Sequence, residues 1–191
     1  NVKFAVKNFM LKLIPQSEWH QSMRGYFAGS LYNEMLKEPK IILVTMDLGY
    51  GLFDKIRKDF PNRFYNVGAA EQAGLGICVG MAMEGLIPIA YSITTFLLYR
   101  PFEVIRNYIN REKWPVKMAG SGRDKDYAHD GFSHWSEDAE LLFETDENYL
   151  EPQIFHNIQA LWPKEKEEIP DLMNEFLYNK KRRALQLKLQ L

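Results

Sequence analysis

The chain has 191 residues, 46% hydrophobic and 26% charged, and 24 basic against 25 acidic residues give a formal net charge of -1. That length supports one domain with a sizeable core, and the balanced charge gives no electrostatic reason to expect nucleic acid or an anionic membrane surface as a partner. The one cysteine, Cys78, excludes an internal disulfide and fits a reducing compartment, while the most apolar run, LIPIAYSITTFLLY, has 14 residues where a bilayer span needs about 20.

Residues 1–21 have no place in the pattern that follows and are expected to form an N-terminal arm that packs on a partner. KNFMLKLIPQSEWH is too short in apolar length, and too broken by polar residues, for a signal peptide. A cytoplasmic location is therefore expected. Asn1 in place of Met leaves a trimmed or excised chain open.

From residue 22 to 191, helical and apolar β-branched runs alternate. A helix over 23–37 leads to a strand at 41–45, IILVT. A helix at 52–60 precedes a strand at 63–67, RFYNV. The helix 69–85 precedes a strand at 87–92, IPIAYS. A helix at 96–111 leads to a strand at 114–120, and a short helix at 137–143 to a strand at 152–157, PQIFHN. The helix 164–181 carries Leu172 and Phe176 on one face and ends in the basic run NKKRR, before a strand at 184–189. This alternation predicts an α/β fold: a single three-layer domain with a mostly parallel six-stranded sheet and helices on both faces. Function in such sheets gathers beyond the carboxyl ends of the strands.

Three stretches carry chemistry. In NVGAAEQAGLGICVGMAMEG, Glu71 opens a helix on which Ala70, Ala73, Gly74, Ile77, Gly80 and Met81 recur at three- and four-residue spacing. Such a face lets another helix come close. An acid in a first helical turn is also what the helix dipole favours by itself. The glycines run G-x-G-x-x-x-G inside a helix, so this is not a dinucleotide fingerprint. YSITTFLLYRPFE follows a strand and offers Phe96, Tyr99, Arg100 and Phe102, either a platform for a flat ring or a core cluster. YAHDGFSHWSED sets His129, Asp130 and His134 in one polar loop, suited to proton transfer, metal or substrate, or else plain surface.

NVGAAEQ, then TTF, then DGFSH, in that order, resembles the pyrimidine-binding domain of transketolase-type thiamin-diphosphate enzymes. MRGYFAGSLYNEMLKEPKIILVTMDLGYG, RFYNVGAAEQ, RPFEVIRNYI and DGFSHWSEDAELL are similar to the central region of transketolases and deoxyxylulose-phosphate synthases. The resemblance runs from about residue 22 to 188.

The resemblance implies a role for each matched residue. Glu71 hydrogen-bonds a ring nitrogen of the cofactor's aminopyrimidine and favours the imino tautomer that deprotonates the thiazolium carbon. Phe96 stacks on that ring, and Tyr99 and Phe102 line the same pocket. Asp130 and His134 contact sugar hydroxyls and the reacting oxygen. Arg24 binds substrate phosphate, for which its guanidinium fork is suited. Asp47 matches an acid at a strand end near the site, though a turn-forming Asp reads the same. Where the family loop is close to Asp-Gly-Pro-Thr-His, this chain has DGFSHW, and Phe132 and Trp135 add bulk beside the substrate channel.

By the same resemblance, thiamin diphosphate and its Mg2+ are held mainly by a diphosphate-binding domain, for which this chain has no room. HDG at 129–131 with Asn157 imitates that domain's metal element by coincidence. The implied function is the pyrimidine-binding subunit of a split transketolase-like transferase. It would work on sugars or sugar phosphates in a hetero-oligomer, with self-association through the helix 69–85. The alternatives are an excised domain of a longer transketolase or synthase, and a non-catalytic assembly or regulatory module with the same fold.

Overall fold

The computed structural model describes residues 11–143, 154–179 and 182–188. A 6-stranded sheet with the order β2-β1-β3-β4-β6-β5 runs through them. The strands are β1 Ile41–Thr45, β2 Phe64–Asn66, β3 Ile87–Ile93, β4 Lys117–Ser121, β5 Gln159–Leu161 and β6 Arg182–Leu187. Every ladder is parallel. The helices are α1 Met23–Lys37, α2 Asp54–Asp59, α3 Glu71–Met83, α4 Thr94–Tyr99, α5 Phe102–Val104 and α6 Ile169–Tyr178, and α5 continues as a π-helical turn at Ile105–Arg111.

All five residues of β1 are buried, as is proper to a central parallel strand covered on both faces. One core holds Met23, Phe27 and Leu31 of α1 and Phe176 of α6 against Ile41, Leu43 and Tyr91. The other packs Leu75, Cys78 and Val79 of α3 with Leu97, Leu98 and Ile105 on the opposite face. Helix α1 is buried almost all round, so its apolar residues form no single stripe. It starts where Ser22 Oγ accepts from the Gly25 N–H, an N-cap.

The topology places the site. β1 leads outward to the edge strand β2, and α3 carries the chain back across β1 to β3 on its other side. The chain thus diverges at the carboxyl ends of β1 and β3, the position where open parallel sheets form a crevice. Both the first turn of α3 and helix α4 open there.

The structure corrects several expected boundaries. Residues 154–157 of the predicted strand form a turn, with the Asn157 N–H donating to Asn110 Oδ1 at 2.9 Å and Phe155 buried between Phe102 and Phe143; residues 152–153 lie outside the described ones. The sheet takes Gln159–Leu161 instead. The predicted helix 96–111 breaks at Pro101, which has no N–H to continue α4. Of the predicted helix 137–143, only Glu140–Leu142 makes a helical turn. Arg182 and Arg183 of the basic run open β6 rather than ending a helix, while Lys180 and Lys181 lie outside the described residues.

The described part of the expected arm packs on its own domain. The Ile14 N–H donates to Asn33 Oδ1, Asn33 returns a bond to the Ile14 carbonyl, and Trp19 meets Tyr26 edge-on at 5.3 Å. A Cβ on Gly29 would lie 2.5 Å from the Trp19 ring, so only glycine lets the indole lie on α1. No helix among the described residues is long and apolar enough to cross a membrane.

Candidate active site

Glu71 is the first residue of α3, placed there by the turn at Gly68, whose φ is 72°. Gly74, one turn later, faces inward: a Cβ there would come within 2.8 Å of Met46 and 2.9 Å of Val67. The missing side chain lets α3 sit down on β1 and carries the Glu71 carboxyl with it, so that Glu71 is only 3% exposed. A buried carboxylate has to be paired or hydrogen-bonded. Here Arg100 Nη1 donates to both Oε1 and Oε2, at 2.9 Å each.

Arg100 follows α4, four residues after Phe96, and its guanidinium carbon lies 3.6 Å from the centre of the Phe96 ring. The Phe96 ring also meets the His134 imidazole in a T-shaped contact, with ring centres 4.8 Å apart. His134 Nδ1 and Ser133 Oγ are 3.0 Å apart. One continuous array therefore runs from buried carboxylate to planar cation, aromatic face and imidazole. Beside it lies an open dish of about 600 Å³ bordered by Ala69, Ala70, Gln72 and Ala73 together with Glu71 and Arg100.

The structure thus brings Glu71, Phe96 and His134 together. The Tyr99 hydroxyl donates to Asp138 Oδ1 at 2.6 Å, and burial, then this bond, pushes its pKa well up. That bond ties α4 to the 127–138 loop. Phe102, beyond the break at Pro101, packs on Phe155 at 5.3 Å within the second core rather than against Phe96. Asp130 is exposed and faces His129 Nε2 at 3.1 Å. Phe132 is 83% exposed, with its ring edge-on to Trp135.

Arg24 lies on the other side of the sheet. It borders a cavity of about 660 Å³ with His20, Tyr50 and Lys55. It also faces Tyr91, whose hydroxyl burial pushes up to about 12 against the lowering effect of that arginine. Asp47 has φ 51° and accepts from the Tyr50 hydroxyl at 2.7 Å, the behaviour of a turn former. Both Arg24 and Glu71 sit at the carboxyl edge of the sheet, on helices that begin there.

Sequence reasoning gave Arg100 no role. The signal was present in its position four residues after Phe96, which puts the two on one helix face.

The small-residue face of α3 is rotated from the one expected. Gly74 points into the protein and Met81 is half-buried, while Ala70, Ala73, Gly76, Ile77, Gly80 and Met83 are exposed. A Cβ on Gly76 or Gly80 would meet nothing within 4 Å.

Comparison with known proteins gives one consistent result. Residues 20–188 match the family model described as the transketolase pyrimidine-binding domain. A putative transketolase C-terminal section from Methanocaldococcus jannaschii is 31% identical over 123 residues, 64% of this chain and 39% of the relative. A 1-deoxy-D-xylulose-5-phosphate synthase from Aquifex aeolicus is 32% identical over 161 residues, 83% of this chain but 24% of the synthase. The chain therefore spans well under half the length of these relatives. A solved split-gene transketolase, an inactive β4 tetramer, superposes with a TM-score of 0.73 at 25% identity, covering 88% of this chain and 51% of the other. A transketolase from Campylobacter jejuni gives 0.75 at 16% identity, covering 89% and 26%, and so shares the fold.

Proposed function

The chain belongs to the transketolase pyrimidine-binding domain family, and from that premise we propose that it is the pyrimidine-binding part of a split transketolase-like enzyme. In this reading it supplies Glu71 for ketol transfer between sugars or sugar phosphates. The observation that carries the reading is the slot between Glu71 and Phe96. It already holds a flat group that donates N–H bonds to the carboxylate and stacks on the ring. An aminopyrimidine makes the same two demands, so the residues fit thiamin diphosphate.

When bound, that cofactor supplies a nucleophilic thiazolium carbon for bond cleavage beside a ketose carbonyl. The chain's own part is narrower. Glu71 holds a proton at a ring nitrogen, and its burial keeps water from competing. Phe96 fixes the plane of the ring. His134, held against Phe96, is placed to hold a proton at a substrate oxygen, with Asp130 in the same loop for sugar hydroxyls. Arg24 offers a cation to a substrate phosphate.

The diphosphate and Mg2+ require a further domain. The likeness to a split-gene transketolase and to a C-terminal section supports a separate chain. The synthase likeness, 83% of this chain, supports the second reading, in which that domain belongs to a longer polypeptide. The exposed face of α3, with Ala73, Ile77 and Gly80, suits self-association.

The test is a pull-down of the tagged chain from its native source, followed by a thiamin-diphosphate titration with Mg2+. Co-purification of a diphosphate-binding chain, with cofactor affinity only when both are present, supports the split enzyme. Absence of both results overturns it, and a single longer polypeptide in the source supports the second reading.

A further inference from the structure

We infer that Arg100 is an internal occupant of the cofactor's ring slot and competes with the aminopyrimidine for Glu71 and Phe96. Glu71 is 3% exposed, so whatever faces it must donate hydrogen bonds to its carboxylate. Only one layer of atoms fits directly on the Phe96 face, and the Arg100 guanidinium, 3.6 Å from the ring centre, is that layer. A guanidinium presents N–H donors in a plane, on a π-surface, to a carboxylate. That is the shape and polarity the slot selects. A ring stacked on Phe96 and bonded to Glu71 therefore cannot coexist with Arg100 as placed.

The arginine is able to leave. Its side chain is 46% exposed, and it stands immediately after α4 and immediately before Pro101. It can turn to water without carrying the helix with it. While it is in the slot, the buried charge of Glu71 is compensated before any cofactor or partner arrives. The chain is thereby stable in its unloaded state, at a cost in cofactor affinity set by the fraction of time Arg100 spends inside.

The identity of the displaced ring rests on the cofactor reading above; the slot itself does not. The first experiment uses the isolated chain with benzamidine, a planar amidinium cation, as probe. Arg100→Ala should show a saturable rise in melting temperature with benzamidine. The wild type, and a Glu71→Gln/Arg100→Ala variant, should show a rise at least tenfold weaker in concentration dependence. Arg100→Met, which keeps the stem, serves if the alanine variant does not fold. The second experiment titrates thiamin diphosphate with Mg2+ into the protein assembled with its diphosphate-binding partner. An occupant present roughly 90–99% of the time predicts an affinity about 10- to 100-fold tighter in the variant than in the wild type. Equal benzamidine binding by wild type and variant, or unchanged or weaker cofactor affinity in a variant that is folded and assembled, overturns the inference. Benzamidine binding by the variant with no thiamin-diphosphate binding by either protein leaves Arg100 as the occupant and overturns the cofactor reading instead.

Discussion

Arg100→Ala and Glu71→Gln break the same ion pair, yet the first should cost much more stability. The reason is the unequal exposure of the two side chains, 46% for Arg100 and 3% for Glu71. Removing the arginine leaves the buried Glu71 carboxylate without the cation that bonds it. Breaking a buried pair from one side costs about 3–5 kcal/mol, and the half-exposed geometry here brings that to roughly 2–3 kcal/mol. Removing the charge of Glu71 instead leaves Arg100 free to turn to solvent, while glutamine keeps an oxygen acceptor. The loss is then about 1 kcal/mol. The double variant should be more stable than Arg100→Ala by about 1 kcal/mol or more, because no charge is left behind. Urea unfolding at pH 7 reads all four proteins. Equal single-variant costs with an additive double variant would refute the claim that Glu71 is a buried charge held by Arg100.

In the assembled, cofactor-loaded enzyme, Glu71→Gln should lower kcat by about 10²- to 10⁴-fold with a much smaller change in cofactor affinity; equal losses in both would reduce the acid to a binding group. Ile77→Arg puts a charge on the exposed face of α3, next to Ala73 and Gly80, and should shift the chain toward monomer in sedimentation velocity; an unchanged mass distribution sinks that face as an interface. Asp59 accepts from Lys55 at 2.7 Å and Tyr32 at 2.8 Å, and although burial pushes its carboxyl up, those bonds outweigh it and leave the pKa lowered. A lowered pKa gives stability that is complete above the ordinary carboxylate value and lost as the pH falls through the folded-state value. The gap in melting temperature between wild type and Asp59→Asn should therefore be steady above about pH 5 and narrow only as the pH falls below the ordinary carboxylate value of about 4, and a gap that already closes above about pH 5 contradicts this. Gly29→Ala places a Cβ 2.5 Å from the Trp19 ring, so it should red-shift the tryptophan emission that Trp19→Phe removes; no shift means the indole does not lie on α1 in solution.

The parts of the fold that were legible are those whose burial leaves a mark in composition. β1 and β3 lie in the sheet interior and are covered on both faces, so IILVT and IPIAYS read as unbroken apolar runs. β5 is three residues at the sheet edge with one buried, and it leaves no such mark. The nearby Ile154 and Phe155 do, but Phe155 fills the core from a turn, and composition does not distinguish a buried turn aromatic from a strand residue. Trp19 could not be placed either. An arm that closes on its own helix and one that reaches a partner have the same sequence, and the small residues that admit the arm, Gly25 beneath His20 and Gly29 beneath the Trp19 indole, look like ordinary helix interior.

The site was legible to the extent that backbone position decides it. Glu71 and Phe96 stand a few residues beyond the carboxyl ends of β2 and β3, and His134 stands in the longer loop after β4, where the parallel topology gathers loops from distant parts of the chain. The family resemblance, carried by the order and spacing of their motifs, implied that they share one place. Side-chain choice within that place was not legible. Phe102 and Phe96 are both aromatics of the same stretch, but the break at Pro101 sends one to the core and leaves the other at the surface of the slot. Arg100 stood in the YSITTFLLYRPFE stretch with no role of its own. It enters the site because a buried carboxylate cannot stand unpaired, and it was the cation within reach that could also lie flat on Phe96. A residue that satisfies a site in the absence of its ligand is recruited by the electrostatics of the site, not by a motif. The place to look for such a residue is the helix turn that follows the stacking aromatic.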